Sequence, residues 1–402
     1  MTDYDRAVVI PGRSLTRSKA PGRFFPVGAG PHFCTYGHGA YLTATDGKAY
    51  LDMLCGLGAI SLGYGLTGCE EGRAVADGGT YSLPSTLEAE AGEVMLQHVA
   101  PWASRVRFVK TGSESTHAAY RIAKHATGRR YVMVGDWSYH GWSEWSWRKP
   151  DGTPEDERTI TYCHHADLWN WWHRTPSAPI LRIEKAIEPE QIAAVFVEPH
   201  RWEPTDVGWL KSLRAWCSEH GIILVFDEMI YGGRWALGGA SEFFGVTPDL
   251  ACFGKALGNG AAIACVVGNE DLLEAHGQMV SGTFSGDTVG LAALIEVVGV
   301  YARNPVIETL WQRGGQLRRG LLAVCGRHPS LGAVVEGAGV VHQRLRFPAP
   351  ETGQAFAAQM VTRGILWHPD CVNVCFSHTE AMIDAVIEAA DASMAALEVE
   401  HV

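Results

Sequence analysis

The sequence predicts an α/β fold in which a mostly parallel sheet is covered by helices on both faces. Short runs rich in β-branched residues are continuously apolar instead of alternating, as is typical of strands buried on both sides. Helical patterns lie between these runs. The chain has 402 residues, of which 47% are hydrophobic and 19% charged, so it is long enough for more than one structural lobe.

Strand and helix patterns alternate along the middle of the chain. The continuous apolar strand segments are 105–110, 131–135, 193–198, 222–227, 250–254 and 263–268. The helical patterns cover 113–126, 207–220 and 290–301. Strand, helix and strand in succession are typical of a doubly wound layer, so we expect a large domain over residues 61–300.

The two ends of the chain have a different pattern. Residues 31–55 contain two short strand segments around an Asp46-Gly47 turn, which is a hairpin signal. Residues 330–402 contain a few strand segments and then a long amphipathic helix from about Thr379. We therefore expect a small α+β domain built from both termini, residues 1–60 and 301–402.

Charge and composition exclude several classes of protein. Asp and Glu number 44 against 33 Lys and Arg, which gives a formal net charge of −11. This balance argues against a general nucleic-acid binder, because that affinity comes mostly from Lys and Arg facing phosphates. The N-terminus has no apolar signal region, and no window reaches the ~18 uninterrupted apolar residues of a membrane span. The sequence therefore predicts a soluble, cytoplasmic protein with no nucleic-acid or membrane partner.

Cysteine usage predicts reduced thiols and no metal. Several of the ten cysteines lie singly in apolar runs, where free Cys behaves as a small buried hydrophobe. Groups that imitate metal sites are Cys371 and Cys375 with His368 and His378, and Cys163 with His164 and His165. Neither group has the CxxC pairing of a strong zinc signal, so we expect packing or substrate contact there.

The first chemistry-bearing feature is a strand that runs into a helix. The segment 105–110 continues into Thr111, Gly112 and Ser113 and then a helical pattern. Free N–H groups and the positive dipole end at such a helix start form an anion site suited to phosphate. The same pattern also fits an ordinary capped helix with a following Glu.

An acid and a lysine follow two other apolar strands. Asp227 ends a strand in ILVFDEMIYGG, where a buried carboxylate belongs either to a ligand site or to a structural ion pair. Lys255 follows a strand in DLACFGKALGNG, either as a desolvated nucleophile or as a side chain that reaches solvent. Pyridoxal 5′-phosphate (PLP) requires three such groups together: an anion-binding helix start, an acid for a protonated ring nitrogen and an imine-forming amine.

Several motifs in order resemble a known family. The segments are TGSESTHAAYRIAKHATGR, YHG at 139–141, VEP at 197–199, FDEMIYGGRWALGG, FGKALGNG and GTFSG at 282–286. This order, over about residues 20 to 390, resembles the class III aminotransferases, and within them most of all glutamate-1-semialdehyde aminomutase and its relatives. The resemblance implies the α/β fold of fold type I PLP-dependent transferases, with a large PLP-binding domain and a small α+β domain.

The resemblance implies roles for residues around the cofactor ring. Lys255 would hold PLP through a Schiff base and then move a proton between the substrate carbon and the cofactor. Asp227 would pair with the pyridine nitrogen and keep it protonated. Tyr139 would stack on one face of the ring, Met229 would pack on the other, and Glu198 would steady the ring environment.

The resemblance also implies a phosphate site shared between subunits. Gly112 and Ser113 would bind the phosphate, and Thr283 would be contributed by the partner subunit. A homodimer with active sites at its interface is therefore expected. His140 would be a supporting group more than a catalytic one, and Arg234 would be structural.

Substrate contacts are less defined by the sequence. Arg17 and Arg23 lie where aminomutase relatives place a carboxylate-binding arginine, and the irregular segment does not choose between them. Tryptophans crowd the region after Tyr139, and Trp142 is a candidate for contact with substrate. The group, Trp142, Trp145, Trp147, Trp169, Trp171 and Trp172, fits stacking on a sugar, cyclitol or base, or else core and interface packing.

The resemblance implies a PLP enzyme that moves an amino group between a small-molecule amino donor and a carbonyl acceptor, and an aminotransferase is favoured because the specific substrate-contact residues of the aminomutase are not evident in the sequence. An intramolecular aminomutase is the alternative, and a same-fold decarboxylase or epimerase is a further one. Motifs of nucleotide-dependent dehydrogenases, P-loop proteins and serine hydrolases are incomplete in this chain. A binding protein that kept the scaffold without catalysis is disfavoured because Lys255, Asp227 and the Gly-Ser turn are all present.

Overall fold

The computed structural model describes residues 2–65, 74–75, 77–135, 138–149, 153–162, 187–199, 206–337 and 341–400. The chain divides into two compact units. The small unit joins Met1–Leu66 with Pro305–Val402, and the large unit is Thr67–Asn304.

The elements are numbered in chain order. The strands are β1 (Cys34–His38), β2 (Tyr41–Ala44), β3 (Ala49–Asp52), β4 (Arg105–Val109), β5 (Tyr131–Gly135), β6 (Thr159–Tyr162), β7 (Ile192–Val197), β8 (Ile223–Asp227), β9 (Leu250–Phe253), β10 (Ala264–Gly268), β11 (Val334–Glu336), β12 (His342–Arg346), β13 (Ile365–Leu366) and β14 (Val372–Asn373). The helices are α1 (Asp3–Arg6), α2 (Thr86–Val94), α3 (Gly112–Thr127), α4 (Val207–Glu219), α5 (Gly239–Phe244), α6 (Glu270–His276), α7 (Thr288–Arg303), α8 (Val306–Arg327), α9 (Pro350–Thr362) and α10 (Glu380–Glu400).

The large unit is built on a sheet with the strand order β4-β10-β9-β8-β7-β5-β6. Neighbouring strands from β9 through β6 are parallel, whereas β10 is antiparallel to both β4 and β9. Because β10 alone is reversed, β4 and β9 run in the same direction. The carboxyl ends of β4, β7, β8 and β9 therefore meet at one edge of the sheet. The predicted mostly parallel α/β sheet is confirmed.

Both faces of this sheet are covered, as its continuous apolar strands predict. Successive strand residues point to opposite faces, so Val225 enters one apolar core and Phe226 the other. On one face, α3 contributes Ala119 and Ile122 to the core. On the opposite face, residues of α2, α4 and α7 pack against the sheet. Burial on both sides fixes the strand ends from which the functional side chains project.

The small unit combines both ends of the chain. Its first sheet has the order β1-β2-β3-β13, and the β2–β3 hairpin closes around the predicted Asp46-Gly47 turn. In β13, Ile365 pairs in parallel with Leu51 of β3, which joins the C-terminal segment to the N-terminal one. A second sheet has the order β11-β12-β14, and helices α8 and α9 both pack against α10.

Among the described residues, no single helix is both long and apolar enough to cross a membrane. Taken together, α7 and α8 pass on length and composition, but they are bent by 77° at the break between them.

Candidate active site

Two neighbouring parallel strands bring the predicted acid and the predicted lysine to the same sheet edge. Asp227 is the last residue of β8 and pairs with Cys252 of β9. Lys255 follows three residues after Cys252, at the start of the 3₁₀ turn Lys255–Gly258. In the same direction across the sheet, Val197 of β7 pairs with Phe226. Register alone therefore places Glu198, Asp227 and Lys255 at successive strand ends.

Asp227 is buried and receives two hydrogen bonds. Its Oδ2 lies 2.8 Å from Nδ1 of His140, and its Oδ1 accepts the backbone N–H of Met229 at 3.1 Å. A carboxylate only accepts hydrogen bonds, so the His140 proton that faces it is on Nδ1. The arrangement fixes the orientation of the Asp227 carboxylate.

His140 is held from several sides. Its carbonyl oxygen accepts the Thr116 hydroxyl at 2.6 Å. Its ring stacks at 11° on Trp145, with ring centroids 6.2 Å apart. In the described part of the chain, the buried Nε2 has no hydrogen-bond partner. The His140 ring is therefore packed against a core tryptophan and hydrogen-bonded to Asp227.

Lys255 has an unusual backbone conformation. Its φ is +46°, in the left-handed region that favours glycine. Such strain persists only where the surrounding structure fixes it, and it is concentrated at functional sites. The turn that begins at Lys255 is itself largely buried, with Ala256, Leu257 and Gly258 all in the interior.

Helix α3 begins at the same sheet edge, directly after β4. Thr111 is its N-cap, and a reciprocal capping box links Thr111 with Glu114. Glu114 Oε2 accepts the Thr111 N–H at 2.8 Å, and Thr111 Oγ1 accepts the Glu114 N–H at 3.2 Å. The capping box leaves the N–H groups of Gly112 and Ser113, in the first turn, for another acceptor. The sequence alternatives therefore coexist, because the capped helix also presents donors.

Glycines allow close approach around this helix start. A Cβ at Gly112 would lie 3.0 Å from Met229 Sδ, and one at Gly254 would lie 2.9 Å from the same sulfur. A Cβ at Gly141, whose φ is +95°, would lie 2.6 Å from Ser113 Oγ. Met229 is thus packed between the helix start and the strand that precedes Lys255.

Tyr139 and Glu198 are directly connected. The Tyr139 backbone N–H donates to Glu198 Oε2 at 2.9 Å. The Tyr139 ring is 55% exposed, and its partial burial together with the charge of Asp227 raises the pKa of its hydroxyl. The structure therefore brings Tyr139, Glu198 and Asp227 into one region, as the resemblance implies.

Lys110 joins three segments around the site. Its Nζ lies 2.8 Å from Asp287 Oδ2 and 3.2 Å from the carbonyl oxygen of Ala262. Asp287 is also the N-cap of α7, accepting the Gly290 N–H at 3.2 Å. The start of α3, the end of the lysine loop and the start of α7 are thereby tied together. Sequence reasoning missed this contact, which links residues far apart in the chain.

Glu228 is a buried carboxyl group that sequence reasoning did not single out. Its oxygens accept the N–H groups of Ala240 at 2.8 Å and Ser241 at 2.9 Å. Burial raises the pKa of Glu228 to about 8. Nearby in the chain, Arg234 is fully buried. The signal in the sequence was the acidic pair after an apolar strand, of which only Asp227 was interpreted.

The remaining predicted site residues are all exposed. Thr283 is exposed in the loop before α7. Trp142 is 73% exposed, and its backbone N–H donates to Ser113 Oγ at 3.3 Å. Arg17 and Arg23 are exposed residues of the small unit.

The tryptophans after Tyr139 differ from one another in burial. Trp145 is a core residue, stacked at 12° on Tyr120, whereas Trp147 is exposed. For Trp145, core packing is therefore the correct alternative. Trp169, Trp171 and Trp172 lie outside the described residues, as do Cys163, His164 and His165.

Comparison with known proteins extends over nearly the whole chain. The family model described as aminotransferase class-III matches residues 24–389. A glutamate-1-semialdehyde 2,1-aminomutase of Halobacterium salinarum is 30% identical, over 96% of this chain and 97% of the relative. Another, from Halorubrum lacusprofundi, is 32% identical over 92% of this chain and 83% of the relative.

Solved structures share the fold. The FumI protein of Sphingopyxis sp. MTA144, solved in its PLP internal aldimine form, is 27% identical with a TM-score of 0.85, covering 99% of this chain and 96% of that one. An omega-transaminase from Sphaerobacter thermophilus, at 22% identity, has a TM-score of 0.81 and covers 98% and 96% of the two chains.

Proposed function

The chain belongs to the class III aminotransferases, and from this premise we propose that it uses PLP to move an amino group between a small-molecule amino donor and a carbonyl acceptor. The observation that carries the proposal is the register of β8 and β9. It puts a buried carboxylate and a strained lysine at adjacent strand ends, on the edge where α3 begins.

The residues at this edge fit PLP chemically. The first-turn N–H groups of Gly112 and Ser113 are donors for a phosphate, and the absence of side chains at Gly112 and Gly254 lets Met229 pack closely beside this helix start. Asp227 is an acceptor for a protonated ring nitrogen, and the Lys255 amine is the group that can bond to the aldehyde. When bound, PLP supplies an electron-withdrawing ring that stabilises negative charge on the substrate carbon.

The work of the chain is to bind, orient and move protons. Asp227 keeps a proton on the ring nitrogen, and the His140 Nδ1–H at 2.8 Å holds that carboxylate in place. Met229 and Tyr139 would confine the cofactor ring, as the resemblance implies. The Lys255 amine would hold the cofactor covalently and would move a proton at the substrate carbon.

We propose that a homodimer completes the site. Thr283 is exposed in a loop of the large unit, and in the proposed dimer its hydroxyl contributes to the phosphate site of the partner subunit. Trp142, next to Ser113, is the proposed substrate contact in the large unit. Either Arg17 or Arg23 is the proposed site for a substrate carboxylate.

An intramolecular aminomutase is the second candidate function. It is favoured by the curated relatives, which are named glutamate-1-semialdehyde 2,1-aminomutases and are 30% and 32% identical to this chain. The two activities differ in stoichiometry. An aminotransferase requires a second substrate to regenerate the starting form of the cofactor, whereas an aminomutase returns the amino group to the same molecule.

A half-reaction assay separates these activities. PLP-loaded protein is mixed with single amino donors, and conversion of the bound cofactor to its amine form is followed by absorbance. The proposal expects conversion to stop after one equivalent until a carbonyl acceptor is added. Continuous turnover of glutamate-1-semialdehyde alone would favour the aminomutase. Deuterium incorporation at the substrate α-carbon without amino transfer would favour an epimerase.

Matched lysine variants test whether the activity belongs to this site. Lys255→Ala is expected to lower the rate by at least about 10³-fold, because it removes both the covalent attachment and the proton carrier. Lys211→Ala, at an exposed position of α4, is expected to keep the parental rate. Equal rates in the two variants would contradict the assignment.

A further inference from the structure

Three side chains with metal-binding atoms meet in the interior of the small unit. Cys55 follows β3, while Cys375 and His378 follow β14. Each is only 1% exposed. The two sulfur atoms and a ring nitrogen of His378 all lie within 4.8 Å of one another. The cluster lies entirely outside the large unit that carries the proposed PLP site.

The sequence grouped different residues around Cys375. It placed Cys371 and His368 with Cys375 and His378 and favoured packing or substrate contact. In the structure His368 instead lies against the N-terminal segment, with Nε2 3.3 Å from the Ser18 carbonyl oxygen. Cys55, more than three hundred residues away in the chain, supplies the second sulfur. This partner could not be found from local spacing.

Backbone hydrogen bonds hold the segments of the cluster together. The Asn373 N–H donates to the Met53 carbonyl oxygen at 2.8 Å, and Asn373 Nδ2 donates to that of Leu54 at 3.1 Å. Cys55 Sγ lies 3.4 Å from the Asn373 carbonyl oxygen. The two cysteine-bearing segments are therefore fixed relative to each other before any ligand binds.

Cys55 occupies a position that favours glycine. Its φ is +52°, and the following residues through Gly58 also have positive φ, which makes Cys55–Gly58 a left-handed turn. A non-glycine residue in this conformation costs about 1–2 kcal/mol. Here the residue in that conformation carries a thiol, which lies close to a second thiol and an imidazole.

The cysteine and the histidine of the C-terminal segment are in direct contact. Cys375 Sγ lies 3.1 Å from His378 Nδ1. Thiolate character is the form in which cysteine binds metals.

We propose that Cys55, Cys375 and His378 form a binding site for a thiolate-preferring metal ion of the Zn²⁺ type. Two thiolates and one imidazole are a ligand set typical of zinc, with bond lengths of about 2.0–2.3 Å that give distances of roughly 3.5–3.8 Å between ligand atoms. The sulfur–nitrogen distance of 3.1 Å and the upper bound of 4.8 Å bracket that range. Small side-chain movements would suffice for coordination.

Binding balances charge in the buried site. Each thiol releases a proton to water and forms a metal–sulfur bond, so the two thiolates neutralise the divalent ion. His378 Nδ1 contributes its lone pair, which now accepts the Cys375 N–H at 2.9 Å. Coordination through Nδ1 would therefore replace that hydrogen bond.

Metal analysis of the full-length chain tests this site. Tag-free, PLP-loaded protein is refolded anaerobically with Zn²⁺, washed with a chelator and analysed by mass spectrometry. About one zinc per chain is expected for the parent protein. The same protein refolded with Co²⁺ is expected to show a thiolate-to-metal charge-transfer band.

Matched cysteine variants make the result specific. Cys55→Gly removes a sulfur and relieves the positive φ, and Cys375→Ser leaves a hydroxyl to bond His378. Both are expected to lower bound zinc at least about tenfold, since each loses one of three ligands. Cys371→Ser is expected to keep the parental stoichiometry. The proposal is wrong if the parent retains no more zinc than Cys55→Gly, or if the cobalt protein lacks the thiolate band.

Discussion

Gly141 lets the backbone after His140 approach the first turn of α3. A Cβ there would lie 2.6 Å from Ser113 Oγ and 2.8 Å from its Cα, and φ is +95°. We expect Gly141→Ala to lower the free energy of unfolding by more than the ~1 kcal/mol of backbone strain alone and to weaken PLP binding. Denaturant titration and cofactor titration measure the two effects.

Gly128 provides the matched control for Gly141. Its φ is +65°, but no other atom lies within 4 Å of where its Cβ would be. Gly128→Ala is therefore expected to show only the backbone cost, with unchanged PLP affinity. If both alanine variants lose the same stability and neither changes cofactor binding, close approach at Gly141 has no functional role.

Glu228 makes stability depend on pH. Burial raises its pKa from 4.5 to about 8, so the folded protein favours the neutral carboxyl group. The stabilisation is complete below pH 4.5 and is lost as pH rises towards 8, by about 1.4 kcal/mol per unit of pKa difference at most. We expect the unfolding free energy of the parent to fall relative to that of Glu228→Gln across this window. The prediction is wrong if the free energies of unfolding of the two proteins change equally with pH.

For single residues, chemical roles were easier to predict from the sequence than the partners that each side chain contacts. Lys255 and Asp227 were found because a charged residue after a buried strand needs a reason to be there. The hydrogen bond between His140 and Asp227 joins residues 87 positions apart, and no local pattern encodes that distance. The proximity of Cys55 and Cys375 likewise arises only in the tertiary structure.

At the scale of elements, the N-terminus of α7 is held by more than its cap. Asp287 both caps α7 and pairs with Lys110 at 2.8 Å. We expect Asp287→Ala to lower the free energy of unfolding by about 1–3 kcal/mol, because a cap and a half-buried ion pair are both lost. Activity should fall as well, since Lys110 also contacts Ala262 at the end of the lysine loop.

Asn269 is the matched control for a cap without an ion pair. Its side chain accepts the Leu272 N–H at 2.9 Å and caps α6. Asn269→Ala is expected to cost about 1 kcal/mol with little change in activity. An Asp287→Ala variant no less stable and no less active than Asn269→Ala would contradict the proposed link between α7 and the site.

The elements of the large sheet and its mostly parallel arrangement followed from the sequence, whereas the reversal of β10 did not. Continuous apolar runs identified the strands of the large sheet because both faces are buried. A single apolar strand of this composition fits either a parallel or an antiparallel neighbour. The sequence therefore does not predict the reversal of β10. Strand β6, Thr159–Tyr162, was missed because it is a short strand at the end of the sheet order with few apolar residues.

At the scale of the whole molecule, the chain ends combine in one unit. Leu51 and Ile365 pair across β3 and β13, and the sequence suggested this only through the contrast between the ends and the middle. Pairing between such distant segments depends on the finished fold. The proposed homodimer likewise rests on the family resemblance and on the exposed Thr283.

Mixed dimers test the proposed sharing of the phosphate site. Lys255→Ala and Thr283→Asp are each expected to be nearly inactive, the second because it brings negative charge to the phosphate. In a heterodimer of the two variants, one site combines an intact Lys255 with an intact Thr283 from the other chain. Recovery of about half the parental activity is expected. No recovery in a purified heterodimer, or a monomeric active enzyme, would contradict a shared site.

We propose that the Lys255 amine bonds covalently to PLP at the sheet edge that carries Asp227 and the start of α3. Borohydride reduction of the PLP-loaded protein, followed by peptide mass spectrometry, measures this directly. We expect the reduced cofactor on the peptide that contains Lys255 and on no other lysine. Labelling of another lysine such as Lys110, or no labelling of a protein that has bound PLP, would contradict the account.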